Sequence, residues 1–256
     1  MSSNVCFTTS IRWRERTTSN VKIAIHQPQY FPWPPYVHKV MSADIFVYLD
    51  TVQFSKNGLQ NRNQVKTSHG AIWLTVPVKH EFGKPIREIE IADQKATTKH
   101  WKTLQANYSQ TLGFQLWQQE LRDLLHSNPT TLAELSIAST EWMLEKLNVQ
   151  TKRMRASEIE GVGGQASKLV ASICKALGAK TYLTGTGALD YLELSDFEAI
   201  SCDVNVQHWE EPFFYGQQWW DEVGFIPGLS TLDLLLNCPQ EASDMIASAG
   251  SWSPLQ

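Results

Sequence analysis

Hydrophobic residues early in the chain fall into two short runs, VKIAI at 21–25 and IFVYLD at 45–50. Between them lies HQPQYFPWPPYVHK, rich in proline and aromatic residues. Runs this short, β-branched or aromatic and bounded by turn formers, predict strands. Pro28, Pro32, Pro34 and Pro35 mark a loop, and YVHKVMSAD supplies a helical turn or two, with His38 and Lys39 expected on its surface. Strand, loop, helix and strand open a βαβ unit, whose ligands sit beyond the carboxyl ends of the strands. His26, Gln27 and Asp50 fall at those ends.

Further along, HGAIWLTVPVK and the alternating IREIEIA predict two strands paired as a hairpin. From Thr97 to Ser127 the apolar spacing becomes helical, with a break near Gly113. A second helix is expected from the Asn128–Pro129 start signal to a stop at Asn148. VQTKRMR reads as a strand. GVGGQASKLVASICKALGAKTYLTGTGALDYL and SCDVNVQ then read as loop, helix, strand, loop, short helix and strand, a second βαβ pattern. The fold expected is α/β, a mixed and mainly parallel sheet flanked by helices on both faces, Rossmann-like in layout, with a β-hairpin insertion. With no repeat and no low-complexity linker, residues 21–256 are expected to form a single domain after a flexible leader, residues 1–20.

Composition narrows the class. The 256 residues are 42% hydrophobic and 19% charged, enough for a substantial core in a soluble globular chain. A net charge of -4 gives no general pull towards nucleic acid or an anionic membrane, so any anion site must be local. Cys6, Cys174, Cys202 and Cys238 stand far apart with no CxxC pair, the usage of a reduced, cytoplasmic protein rather than a zinc or disulfide scaffold. No window is apolar enough to span a bilayer, and the first twenty residues lack the core of a signal peptide.

Candidate chemistry concentrates after the first two strands. His26 is suited to acid–base work or phosphate contact, and equally to packing that fixes the loop. Tyr30, Trp33 and Tyr36 are suited to stacking on a base or sugar, or to covering the core. Gln53, Lys56, Asn61, Arg62, Asn63 and Lys66 gather cations and amides with hardly any acid, a set that fits phosphate, carboxylate or sugar hydroxyls. Asp50 suits Mg²⁺ or the orientation of a base, and also a simple cap. Gly185 and Gly187 close the strand TYLT where backbone can approach a ligand, and Asp190 and Tyr191 are expected beside them. Gln207 and His208 open an aromatic segment that is either a lid or core. GVGGQA matches a dinucleotide loop on paper, but SEIE separates it from the strand before it, which favours a plain loop. HExxH, Walker A and GxSxG signatures are absent, and no metal site is expected.

In the same order along the chain, IHQPQYFPWPPYVHKVMSADIFVYLDTVQFSKNGLQNRNQVK, WLTVPV, TYLTGTGALDYL and STLDLLLNC resemble the WbqC-like family, from Val21 to Cys238. That resemblance implies a bacterial surface-polysaccharide (O-antigen) biosynthesis enzyme, a transferase for which glycine has been proposed as the group moved. One departure is Pro35, where the family's PWxGY turn has glycine; Pro requires a φ near about −65° there. The layout also resembles nucleotidylyltransferase-type folds, in which a His-rich turn and a helix N-terminus take nucleotide phosphates. However, Pro35 and Tyr36 replace the Gly and second His of that turn. Three readings follow. The first is transfer of a small acyl or aminoacyl group onto an activated sugar, with His26 as acid or base, Arg62 and Lys56 on a phosphate, and Asp50 and Asn61 orienting the acceptor. The second is adenylyl or nucleotidyl transfer using a nucleotide with Mg²⁺. The third is a non-catalytic module that binds a sugar or nucleotide. The expected partner is a small molecule, a nucleotide-sugar or aminoacyl donor, without nucleic acid.

Overall fold

The computed structural model describes residues 20–79 and 81–255. The expected leader lies outside them except for Asn20, whose side-chain oxygen accepts a hydrogen bond from Thr181 Oγ1 at 3.0 Å. In chain order the elements are β1 (Lys22–His26), α1 (Pro34–Ser42), β2 (Ile45–Tyr48), β3 (Arg62–Thr67), β4 (Gly70–Thr75), α2 (Lys95–Tyr108), α3 (Leu112–Leu125) and α4 (Leu132–Lys146). Then follow β5 (Lys152–Arg155), α5 (Ala166–Ala176), β6 (Thr181–Thr184), α6 (Leu194–Glu198), β7 (Asp203–Trp209), α7 (Trp220–Val223), α8 (Thr231–Asn237), α9 (Ala242–Ser248) and β8 (Gly250–Pro254). No helix among the described residues is long and apolar enough to cross a membrane.

Six strands form one sheet in the order β5-β2-β1-β6-β7-β8, parallel except for β8. The fold is the expected mixed α/β sheet. Because side chains alternate across a strand, each strand feeds two cores. Ala24, Phe46 and Leu183 pack with α1, α4 and α8 on one face. Ile23, Ile25, Val47, Tyr182 and Val204 pack with Val170, Ile173 and Cys174 of α5 and Phe197 of α6 on the other.

Two expectations are corrected here. The hairpin exists, but its first strand is β3, paired antiparallel with β4 in the register Asn63↔Leu74 and Val65↔Ile72. IREIEIA instead makes a 3₁₀ turn at Ile86–Glu88 and two isolated bridges, Val78↔Ile91 and Glu90↔Thr131. β3 looks polar in sequence because its inward positions carry hydrogen-bonding groups that find partners. Asn63 Nδ2 donates to Phe31 O at 2.7 Å, and Lys66 Nζ donates to Gly224 O. Likewise His38 and Lys39 are buried rather than on the surface, because α1 is enclosed along nearly its whole length.

The helical stretch breaks at 109–111, just before Gly113, and α4 begins at Leu132, after its N-cap Thr131, rather than at Pro129. Thr131 and Glu134 form a capping box there, worth about 1 kcal/mol. Asn148 ends that region in the left-handed conformation at φ 55°. Gly113 marks where α3 crosses α8. A Cβ added there would lie 2.2 Å from Leu235 O and 2.8 Å from Leu236 Cα. We expect Gly113→Ala to destabilise the fold by about 3 kcal/mol or more, read as a lower urea midpoint, since backbone on both sides must move. An unchanged midpoint would show that the α3–α8 crossing has slack.

Candidate functional site

Strand β1 is flanked by β2 on one edge and β6 on the other. The chain leaves β1 through α1 on one face and enters β6 from α5 on the opposite face. Helices departing to opposite faces leave a crevice at the carboxyl ends of the two central strands. His26 ends β1, and Thr184 and Gly185 end β6. The crevice holds two adjoining chambers, about 290 Å³ and 520 Å³, whose walls share His26, Lys39, Gly185 and Gly187. Gln27, Leu49, Thr184 and Tyr191 complete much of the smaller one. Gln29, Trp33, Tyr36, Leu59, Gln207, Trp209 and Glu211 wall the larger.

Lys39 is the feature that the sequence reading missed. Its side chain comes off the middle of α1 and is 5% exposed, yet among the described residues its ammonium has no hydrogen-bond or ion-pair partner. Burial pulls its pKa from 10.5 down to about 8. Gly185 makes room for it: a Cβ there would stand 3.0 Å from Lys39 Nζ. The one available signal was helical phase, since Tyr36, Lys39 and Val40 share the α1 face that follows a strand end.

His26 is half-buried. Its Nδ1 lies 3.1 Å from the Gln27 carbonyl oxygen, which can only accept, so Nδ1 carries the proton and Nε2 carries the lone pair. Burial first, and then the nearby Lys39 charge, pull its pKa from 6.5 to about 3, while the Gln27 bond opposes the shift. The ring stands edge-on to Tyr36 at 4.8 Å. Gln27 Oε1 accepts from Gln60 Nε2 at 2.6 Å, which leaves the Gln27 amide nitrogen available to the smaller chamber. Gln207 Nε2 bonds both Pro35 O and His38 Nδ1 at 2.8 Å, and His38 stacks on Trp252 at 5.7 Å. His38 is thereby a positioning residue for the chamber wall.

Of the residues singled out from sequence, the crevice therefore brings together His26, Gln27, Trp33, Tyr36, Gly185 and Gly187. Tyr30 is fully buried with its hydroxyl 3.0 Å from His100 Nδ1. Asp50 is fully buried and spends both carboxylate oxygens on Ser157, at 3.0 Å on N–H and 2.7 Å on Oγ, a cap on the turn after β5. The cation and amide cluster is dispersed. Gln53 and Lys56 are exposed, and Asn61 Nδ2 donates to Val76 O at 2.8 Å. Arg62 begins β3, donates to Asn57 O at 2.6 Å and covers the Trp73 ring at 4.4 Å. Asn63 and Lys66 hold the hairpin to the core. Asp190 is exposed and outside the chamber walls, whereas Tyr191 is part of one.

The N-terminus of α1 offers no phosphate cradle. Pro34 and Pro35 have no N–H, and the N–H groups of Tyr36 and Val37 both go to Trp33 O, at 3.1 and 3.4 Å. Pro35 is accommodated because the first helical turn needs the φ that proline has. The nucleotidylyltransferase-like reading thus lacks its phosphate-binding element at this position. A larger groove, about 880 Å³, runs between α4 and the edge strand β5. Its Glu141 is committed to Tyr48 Oη at 2.6 Å and Arg153 Nε at 2.9 Å. Among the described residues, no group of three His, Cys, Asp or Glu side chains is placed to hold a metal ion.

The chain is 32% identical over 228 residues to the uncharacterized protein Rv1507c of Mycobacterium tuberculosis, covering 88% of this chain and 97% of that protein. No solved structure matches it. The model of the WbqC-like protein family matches residues 27–245, which takes in the crevice walls except Ile25 and His26 at the end of β1, and the chain belongs to that family.

Proposed function

We propose that the protein is a biosynthetic transferase of surface-glycan assembly, moving a small acyl or aminoacyl group, glycine included, onto an activated sugar in the β1–β6 crevice. The observation that carries this reading is the buried Lys39 ammonium, without a counter-charge, beside a neutral histidine. Burying a cation without a partner is strongly unfavourable, so the arrangement is completed by an anionic ligand. Family membership supports a biosynthetic role. The free thiols of Cys174, Cys202 and Cys238 support a reducing compartment, the cytoplasm.

In this reading Lys39 holds a phosphate or carboxylate, and the glycines at 185 and 187 let that group come close to the backbone. His26 Nε2 takes the proton from the acceptor hydroxyl or amine as the acceptor atom bonds to the acyl carbon. The bond from that carbon to the leaving group then breaks, and His26 returns the proton to the leaving group. The Gln27 amide and Lys39 face the charge that develops on the acyl oxygen. An anionic donor offsets the Lys39 charge, which removes one of the two influences that hold His26 low, so the base strengthens when substrate arrives.

Lys39→Met tests the anchor. Wild type should bind inorganic phosphate and nucleotide-sugars by calorimetry, with affinity falling as pH rises past about 8, where Lys39 loses its proton. Lys39→Met should bind at least tenfold more weakly, whereas Arg62→Ala should bind as wild type does, because its guanidinium is engaged elsewhere. Equal phosphate binding by wild type and Lys39→Met would remove the anchor. Weakened binding in Arg62→Ala would return the site to the β3 cluster.

Stability supplies an independent reading. The folded pKa of Lys39 lies below its unfolded value of 10.5, so between about pH 8 and 10.5 the unfolded chain binds more protons and the folded state gains stability as pH rises. At neutral pH the buried ammonium costs about 3 kcal/mol. The empty Lys39→Met protein should therefore be more stable than wild type at pH 7, and the difference should shrink between pH 8 and 10.5. A destabilised Lys39→Met would mean that the ammonium has a structural partner.

A further inference from the structure

The smaller chamber, about 290 Å³, brings three chemically unlike side chains to one space. Lys39 reaches it from the middle of α1, His26 from the end of β1, and Gln27 from the residue after that strand. Lys39 Nζ meets both chambers beside Gly185, where the missing side chain leaves it room. No carboxylate stands on the walls of the smaller chamber. Glu211, the one acid on the walls of the larger, is exposed, accepts a hydrogen bond from Phe213 N–H at 3.3 Å and makes no ion pair with Lys39. The other titratable groups on these walls are His26, Tyr36, Tyr182, Tyr191 and His208. Burial holds the three tyrosines above their ordinary range, so none is negative at neutral pH.

An amine placed there is driven towards its uncharged form, since its ammonium has neither bulk water nor a counter-charge. With a pKa of about 8, about a quarter of Lys39 is free amine near pH 7.5. The free amine has a lone pair and is a nucleophile for carbonyl carbon. Its two neighbours suit the same reaction. The Gln27 amide oxygen is taken by Gln60 Nε2, so its nitrogen is left to donate to a carbonyl oxygen, and His26 Nε2 has the lone pair that accepts a proton. We propose that the smaller chamber is a carbonyl-condensing site, in which the amine of Lys39 forms an imine with a small aldehyde or ketone while Gln27 binds the carbonyl oxygen and His26 relays protons. Nζ bonds to the carbonyl carbon as the C=O π pair moves to oxygen. Two protons pass in turn from Nζ through His26 Nε2 to that oxygen, the C–O bond breaks, and water leaves as the nitrogen lone pair closes the C=N bond. One water is released for each imine, nothing is oxidised or reduced, and attack by water reverses the step. This inference goes beyond the anion anchor and uses the other protonation state of the same residue. The ammonium holds a phosphate and the amine attacks a carbonyl, so each use excludes the other.

The test treats the full chain near pH 7.5 with propionaldehyde and cyanoborohydride, which reduces an imine to a stable secondary amine, and locates the modified lysines by peptide mass spectrometry. Lys39 should be modified about tenfold faster than exposed lysines such as Lys56. Its rate should rise with pH and level off above about 8, as the ammonium gives up its proton. A lysine that is only packed into a core reacts last of all. His26→Gln should slow the Lys39 adduct about tenfold. Acetone carrying a heavy-oxygen label gives a readout that needs no reductant. Each imine cycle returns the ketone with an oxygen from water, so wild type should wash the label out and Lys39→Met should do so no faster than buffer.

Preferential modification of Lys39 that saturating inorganic phosphate slows supports the imine and the anchor together. The same modification unaffected by phosphate supports the imine and overturns the anchor. Label wash-out that Lys39→Met abolishes supports the imine even where the adduct escapes reduction. If Lys39 is modified no faster than exposed lysines and the acetone keeps its label, the imine is overturned, and phosphate binding that Lys39→Met loses then leaves the anchor standing. An adduct rate unchanged in His26→Gln overturns the proton path through His26.

Discussion

The parallel pairing of β1 on both of its edges is the constraint on which the rest depends. In register, Ile23 lies against Ile45 of β2 and against Tyr182 of β6. A parallel strand cannot be reached by a tight turn, so the chain must cross over between these strands, through α1 on one face and α5 on the other. Ala24 consequently belongs to one core and its neighbours Ile23 and Ile25 to the second. What covers the carboxyl ends of β1 and β6 comes from α1, the loop after β6, Leu59 and the end of β7. The crevice is a product of strand order before it is a product of any side chain.

Lys39 contrasts with the two fully buried aspartates of the same fold. Asp233 is fully buried, and burial raises its pKa, yet its oxygens take hydrogen bonds from the Tyr108 and Tyr215 hydroxyls and the Lys66 backbone N–H. That acid has partners on every side and ties β3, α2 and α8 into one core. Asp50 is treated in the same way by Ser157. Among the described residues, the Lys39 ammonium has no such partner. Since an enclosed cation without a counter-charge detracts from a small net stability, its place where strand order opens the fold is a sign of a binding site.

Much of this was legible in the sequence. VKIAI, IFVYLD and TYLT announced themselves as buried parallel strands by being short, apolar and bounded by turn formers, and with them came the position of His26, Gln27, Gly185 and Gly187. Polar residues in buried places were not legible. β3 reads as a loop because Asn63 and Lys66 find backbone acceptors that lie 32 and 158 residues away in sequence. A local pattern carries no trace of such partners. The same limit made the cluster around Arg62 resemble an anion site, although its guanidinium lies over an indole on its own hairpin. It also made Lys39 resemble a surface lysine, although α1 is enclosed on nearly all sides.

The prolines at the start of α1 decide what kind of anion site this can be. Phosphate sites at helix ends use several N–H groups in a fixed fan, which recognise the shape of the anion and are insensitive to pH. Pro34 and Pro35 remove two of those donors, and Trp33 O takes the next two. The charge must then come from the Lys39 ammonium, a compact point charge whose three donors rotate and whose proton is held only up to about pH 8. Such a group accepts a phosphate or a carboxylate almost indifferently. Selectivity therefore has to be written outside the anion contact, in the shape and hydrogen-bonding groups of the chambers on either side of Lys39.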